Sequence, residues 1–235
     1  MFYNRFLKVL FLFLFMNSFL FSCQTKKIND SNSDSGASGI SLNSDSKNLI
    51  VFFSRAGENW KAGNVEVGNT AVMAGYIKDR IDADVFEIKA KNPYPQSYDE
   101  MLERATRERN ENARPELLER LDSIEKYDNI FLGFPTWWGD CPMIVLTFLE
   151  DENLDFAGKT IIPFNTAEGS GFGSGLNTVK SKLKNSKFMD GLTLTGENIR
   201  EESSRNKVNE WLDNLGFEKN VKYSEDKFNL ETNRS

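Results

Sequence analysis

The stretch "NLIVFFSRAGENWKAGNVEVGNTAVMAGYIKDRI", residues 48–81, sets the organisation of the whole chain. It opens with Asn48 to Phe53, a run of apolar and aromatic side chains with the composition of a strand buried on both faces. It closes with Met73, Tyr76 and Ile77 at helical spacing. Between them lie glycines and hydroxyls, from Ser54 to Thr70, where a helix N-terminus presents free N–H donors to an anion. Omitting residues 57 to 67 leaves Ser54-Arg55-Ala56-Gly68-Asn69-Thr70, the length and chemistry of a tight anion-binding turn leading into a helix. The omitted residues carry Glu58, Trp60 and Glu66, and they read as an excursion that keeps both carboxylates away from the anion.

The same alternation continues downstream. Strand-like runs appear at "DVFEI" (84–88), "NIFLGF" (129–134) and "TIIPF" (160–164), with a weaker one at "LTLT" (192–195). Between and after them, helical spacing links Tyr98, Met101, Leu102 and Ala105, then Val145, Phe148 and Leu149, then Leu176, Val179 and Leu183. Last come Val208, Trp211, Leu212 and Leu215, stopped by Gly216. Five β-α units in a domain of this length imply an α/β fold with a doubly wound, five-stranded parallel sheet in a three-layer sandwich. Ligands of such folds bind outside the carboxyl ends of the strands, where strand order reverses.

Two further loops fall at that end. After the third strand comes "PTWWGDCP", Pro135 to Pro142, in which adjacent tryptophans offer flat faces to a planar ligand or pack into the core or a partner. After the fourth comes "NTAEGSGFGSG", Asn165 to Gly175, whose glycines at 169, 171, 173 and 175 let the backbone approach a ligand or simply move.

With all three loops in place, the chain resembles the flavodoxins over residues 48–216. Their phosphate loop, T/S-x-T-G-x-T after the first strand, is matched by Ser54, Arg55, Ala56, Gly68, Asn69 and Thr70 around the insertion. Their Pro-Thr-Trp second loop is matched by Pro135, Thr136 and Trp137. The resemblance implies strand order 2-1-3-4-5 and FMN as cofactor, its phosphate on Ser54, Ala56, Asn69 and Thr70, with Arg55 also part of the cofactor site. It implies that the flavin ring lies beside Trp137, against Trp138 and Gly139 of the second loop and Thr166, Ala167, Glu168, Gly169 and Phe172 of the third. Trp138 or Phe172 would stack on the second face of the ring, or that face would stay open to a substrate. Gly139 would let its peptide turn toward the ring without steric cost, and Asp140 and Glu168 would lower the flavin's potential.

The chain has 235 residues, a formal charge of −6 and a sequence pI near 5.0, so no nucleic-acid footprint is expected. There is no histidine, which excludes His-based triads and His metal sites. Cys141 accompanies only Cys23, leaving no disulfide framework, and it reads as a small apolar residue. Arg5 and Lys8 precede an apolar run from Val9 to Phe21, too short to span a bilayer, which reads as a signal peptide. Its end, Leu20-Phe21-Ser22-Cys23, resembles a bacterial lipobox, implying a leader at 1–22 and acylation of Cys23. Residues 23–47 read as a flexible tether poor in large apolar side chains, and 217–235 as a polar tail. The expectation is an exported lipoprotein on a bacterial membrane, held there by the lipid anchor alone. It would carry electrons to a redox partner protein or a small-molecule acceptor, or act as an FMN-dependent oxidoreductase resembling NAD(P)H:quinone reductases.

Overall fold

The computed structural model describes residues 46–217. The expected leader, Cys23, nearly all of the tether and nearly all of the C-terminal tail lie outside them. Six strands form one parallel sheet: β1 (Asn48–Phe53), β4 (Asp84–Ile88), β5 (Asn129–Pro135), β6 (Thr160–Thr166), β7 (Lys187–Phe188) and β8 (Leu192–Leu194). Its order is β4-β1-β5-β6-β7, with β8 also paired to β6. Because β7 pairs with the start of β6 and β8 with its end, the two are one fifth strand broken between Met189 and Gly191. The expected 2-1-3-4-5 order holds, and the fifth position begins earlier than "LTLT".

Alternation along β1 shows why its sequence is apolar throughout. Leu49, Val51 and Phe53 enter one core, while Ile50 and Phe52 enter the other. The first core is completed by α3 (Met143–Leu149) and α4 (Gly175–Lys182), the second by α1 (Asn69–Arg80) and α5 (Glu202–Asn214). The remaining helix, α2 (Tyr98–Asn110), follows β4 and packs beside α3. Gly133 sits opposite Phe164 in the register, and a Cβ there would meet the Phe164 ring at 2.2 Å. The glycine therefore makes room for a large ring between neighbouring strands.

Residues 57–67 fold as an antiparallel hairpin, β2 (Gly57–Asn59) against β3 (Gly63–Val65). Pairing of Gly57 with Val65 brings the two ends of the excursion together, so β1 still leads into α1. Gly68 closes the gap, with a hypothetical Cβ only 2.2 Å from Ser54 Oγ and 2.6 Å from Arg55 O. Any side chain there would drive the two halves of the turn apart.

Candidate functional site

The turn expected to hold an anion is assembled by Ser54 and α1. Ser54 Oγ accepts a hydrogen bond from the Ala71 amide at 3.0 Å, tying the end of β1 to the first turn of the helix. The amides of Asn69 and Thr70 begin that turn, where no intrahelical acceptor exists for them. Thr70, 1% exposed, places its hydroxyl 2.8 Å from that of Thr166 at the end of β6. Arg200, from the segment after β8, donates to Asn69 Oδ1 at 2.8 Å and to the Val67 carbonyl. Nothing in the sequence placed Arg200 here, because it lies far along the chain from every loop motif.

Arg55 behaves differently from its neighbours. Its guanidinium is buried and donates to the carbonyls of Pro95 at 2.8 Å, Gln96 at 3.1 Å and Glu58. The Glu58 amide donates to Gln96 O at 2.9 Å, and Glu58 Oε2 accepts from the Tyr98 amide at 3.0 Å. The side chain of Arg55 thus stitches the hairpin to the start of α2 and leaves only its backbone to the turn.

The second loop is a two-residue hairpin turn. Trp137 and Asp140 exchange both backbone hydrogen bonds at 2.9 Å, while Trp138 and Gly139 have φ of 52° and 72°. Positive φ at both central positions is the type I′ pattern, in which Asn-Gly is the relaxed choice. A tryptophan in the left-handed region costs about 1–2 kcal/mol, yet Trp138 is held there with 47% of its surface exposed. Trp137 is fixed from behind, its ring edge-on to Phe53 at 5.3 Å and to Tyr94 at 5.2 Å. Tyr94 in turn donates to Glu108 at 2.7 Å, and Arg104 covers its ring at 3.9 Å.

The third loop is stapled by hydrogen bonds at several points. Thr136 Oγ1 donates to Gly171 O at 2.7 Å, Asn165 Nδ2 to the same carbonyl at 3.0 Å, and Thr193 Oγ1 to Asn165 Oδ1 at 2.6 Å. Gly139 O accepts from the Ser174 amide at 2.7 Å, which joins the second loop to the third. Phe172 turns inward and packs on Phe134 at 5.9 Å. Its half-buried ring packs against the core, and it is not among the cavity-lining residues where the sequence reading expected it.

These parts enclose one cavity of about 490 Å³, within the range of small-molecule sites. Of the expected residues, Ser54, Arg55, Asn69 and Thr70 line it from the turn, and Pro135, Thr136, Trp137, Trp138 and Gly139 from the second loop. Thr166, Ala167 and Glu168 line it from the third, whereas Ala56, Gly169 and Phe172 are not part of its wall. Asp140 also faces elsewhere: its carboxylate accepts from the Cys141 amide at 2.7 Å, Ser174 Oγ at 2.8 Å and Thr178 Oγ1 at 3.1 Å. Glu168 remains the acidic side chain of the wall, and burial raises its carboxyl above the ordinary value. The Glu197 amide at 3.1 Å and the nearby charge of Lys61 oppose that rise. The cavity is completed by Asn59 and Trp60 of the hairpin, Ser170, Gly196, and Tyr98, Met101, Leu102 and Ala105 on α2.

A doubly wound sheet with its cavity at the carboxyl ends of β1, β5 and β6 defines the flavodoxin-like class of α/β domains. The flavodoxin family model matches residues 47–215, and the chain belongs to the flavodoxin family. Among solved structures, a proposed flavoprotein of Bacteroides uniformis is 29% identical, with a TM-score of 0.58 over 72% of this chain and 98% of its own. A second, from Bacteroides eggerthii, is 27% identical, with a TM-score of 0.58 over 73% and 98%. A Lactobacillus acidophilus flavoprotein in complex with FMN shares the fold at 19% identity, with a TM-score of 0.50 over 70% and 99%. No curated protein matches the chain.

Proposed function

We propose that the domain binds FMN and serves as a flavin-dependent electron carrier, exported and tethered through a lipid on Cys23 to a bacterial membrane. The observation that carries this reading is the convergence on one cavity of an anion cradle and an aromatic loop. The donor set suits a phosphate ester: two hydroxyls, the Asn69 amide and the first amides of α1, with Arg200 behind them. FMN, when bound, supplies the one- and two-electron chemistry.

The chain's own residues orient and tune. Ser54, Asn69 and Thr70 hold the phosphate, and Trp137, braced by Phe53 and Tyr94, offers a rigid aromatic wall to the ring. Trp138 and Gly139 shape the rim. Glu168, partly desolvated, disfavours further negative charge in the cavity and so lowers the potential. Purifying residues 24–235 and recording the absorption spectrum and the mass of any released cofactor tests the reading. A colourless protein that takes up no FMN would overturn it.

A second reading, an FMN-dependent oxidoreductase, is favoured by one observation. The cavity runs past the cradle and the second loop to an aromatic and aliphatic wall formed by Trp60, Tyr98 and Leu102.

A further inference from the structure

Trp137, which walls the cavity from the second loop, has a neighbour that holding a ring does not explain. Two rings meet it edge-on from behind, Phe53 at 5.3 Å and Tyr94 at 5.2 Å. Tyr94 is 6% exposed and takes no part in the cavity wall. Its hydroxyl donates to Glu108 Oε2 at 2.7 Å, and Glu108 is itself only 8% exposed. Arg104 Nε donates to the other carboxylate oxygen at 2.7 Å, while its guanidinium lies 3.9 Å from the centre of the Tyr94 ring. The same guanidinium donates to the carbonyls of Asn92 and Pro93, both at 2.8 Å. Packing behind Trp137 needs only an aromatic ring, which phenylalanine supplies, yet the chain buries a phenol and a carboxylate there at a cost in desolvation.

Tyr94, Glu108 and Arg104 are arranged to move a proton together with an electron. Of the two rings behind Trp137, Tyr94 alone carries an acidic proton, so it can lose an electron and end as a neutral radical. Burial, with the adjoining charge of Glu108, pushes the Tyr94 hydroxyl far above its ordinary value, so the phenol does not ionise by itself. Loss of an electron alone is disfavoured as well, because Arg104 would then face a cationic ring at 3.9 Å. Losing both together avoids each penalty, and Glu108 Oε2 stands at hydrogen-bond distance to take the proton. While the proton rests on Glu108, Arg104 lacks the charge of its partner, which favours the proton's return once the electron comes back.

We propose that Trp137, Tyr94 and Glu108 form a proton-coupled electron relay leading from the cavity into the protein. This rests on the reading that the cavity holds FMN, which, when excited by blue light, is the one-electron oxidant. The excited flavin takes one electron from Trp137. Tyr94 then gives one electron to Trp137 and its phenolic proton to Glu108 Oε2, leaving a neutral tyrosyl radical and a neutral carboxylic acid. Return of the electron from the flavin to Tyr94 restores both groups, with the proton moving back to the phenol. No side chain is consumed, and Trp137 is spared lasting oxidation.

The test uses FMN-loaded residues 24–235, flash excitation with blue light, and transient absorption of tryptophan and tyrosyl radicals in ordinary and heavy water. In the wild type the tryptophan radical decays as a tyrosyl radical rises, and the rise is slower in heavy water. Tyr94→Phe keeps the ring behind Trp137 and loses the tyrosyl signal. Glu108→Gln keeps an acceptor for the phenol but no base, and slows tyrosyl formation by about a hundredfold. Tyr98→Phe, which alters the tyrosine of the cavity wall, leaves the signal in place. Heavy water and Tyr98→Phe decide the matter if Tyr94→Phe fails to fold. No tyrosyl signal in the wild type, no slowing in heavy water, or a signal that follows Tyr98 instead of Tyr94 overturns the relay and leaves the FMN reading standing. Failure of the wild type to take up FMN removes both, and it shows in the absorption spectrum before any flash.

Discussion

Arg200 Nη1 lies 2.8 Å from Asn69 Oδ1, joining the segment after the last strand to the first residue of α1. With its second nitrogen on the Val67 carbonyl, the guanidinium forks across the closing end of the hairpin and fixes the Asn69 amide. Hydrogen bonds to a charged group contribute about 1.5–3 kcal/mol when protected from water, and less at an exposed position such as this. Arg200→Gln is therefore expected to weaken FMN several-fold with little change in melting temperature. Arg200→Lys recovers only part of the affinity, because an ammonium cannot reproduce the fork. Fluorescence titration of FMN against both variants checks this, and equal affinities for both and for the wild type would remove Arg200 from the cradle.

Gly68 is the point at which the excursion rejoins the turn, and its environment leaves no room for a side chain. Because Arg55 O is backbone, the overlap in Gly68→Ala cannot be relieved by a rotamer change. Overpacking of this kind costs about 1–3 kcal/mol, and here it falls on the cradle. FMN affinity is expected to drop by roughly tenfold or more, measured by dialysis followed by absorbance, while far-ultraviolet circular dichroism stays unchanged.

Glu168 joins stability to redox behaviour. Its carboxyl is raised in the folded chain, chiefly by burial, so the folded state holds the proton more tightly than the unfolded one. Its favourable contribution is complete below the ordinary glutamate range and is lost as pH rises through the raised value. Glu168→Gln is expected to melt higher than the wild type at neutral pH and to lose that advantage in acid. The same variant should shift the potential of bound flavin upward in spectroelectrochemical titration. An unchanged potential would show that Glu168 is no more than a rim charge.

Glu150, the C-cap residue of α3, works in the opposite sense. Arg114 grips it through two nitrogens and Lys182 lies 2.6 Å away, holding its carboxyl down at about 2. A depressed carboxyl stabilises above the ordinary glutamate value and loses that contribution as pH falls toward about 2. The wild type should thus lose melting temperature steadily across that interval, and Glu150→Gln should show a flatter profile. Scanning calorimetry across the acid range compares the two, and identical slopes would discount the pair.

The frame of the molecule was legible because its signals are local. Runs such as "NLIVFF" and "TIIPF" declare strands buried on both faces, and the glycine and tryptophan loops follow directly from them. What escaped was tertiary in origin. The strands β2 and β3 have three residues each and β7 has two, too short for any period to show. The α2 wall could be placed on a helix from its spacing, but its facing the cavity depends on where the hairpin docks. Asp140 and Phe172 sat in the expected loops yet turned away from the cavity, since side-chain direction there is set by Ser174, Thr178 and Phe134.

The pairing of Gly57 with Val65 has a consequence for how such a protein can change over time. An excursion that leaves and re-enters the scaffold at one point can be lengthened, shortened or exchanged without altering the strand before it or the helix after it. What the molecule recognises can then diversify while its means of holding a nucleotide stays fixed, as a tool keeps its handle when the bit is swapped.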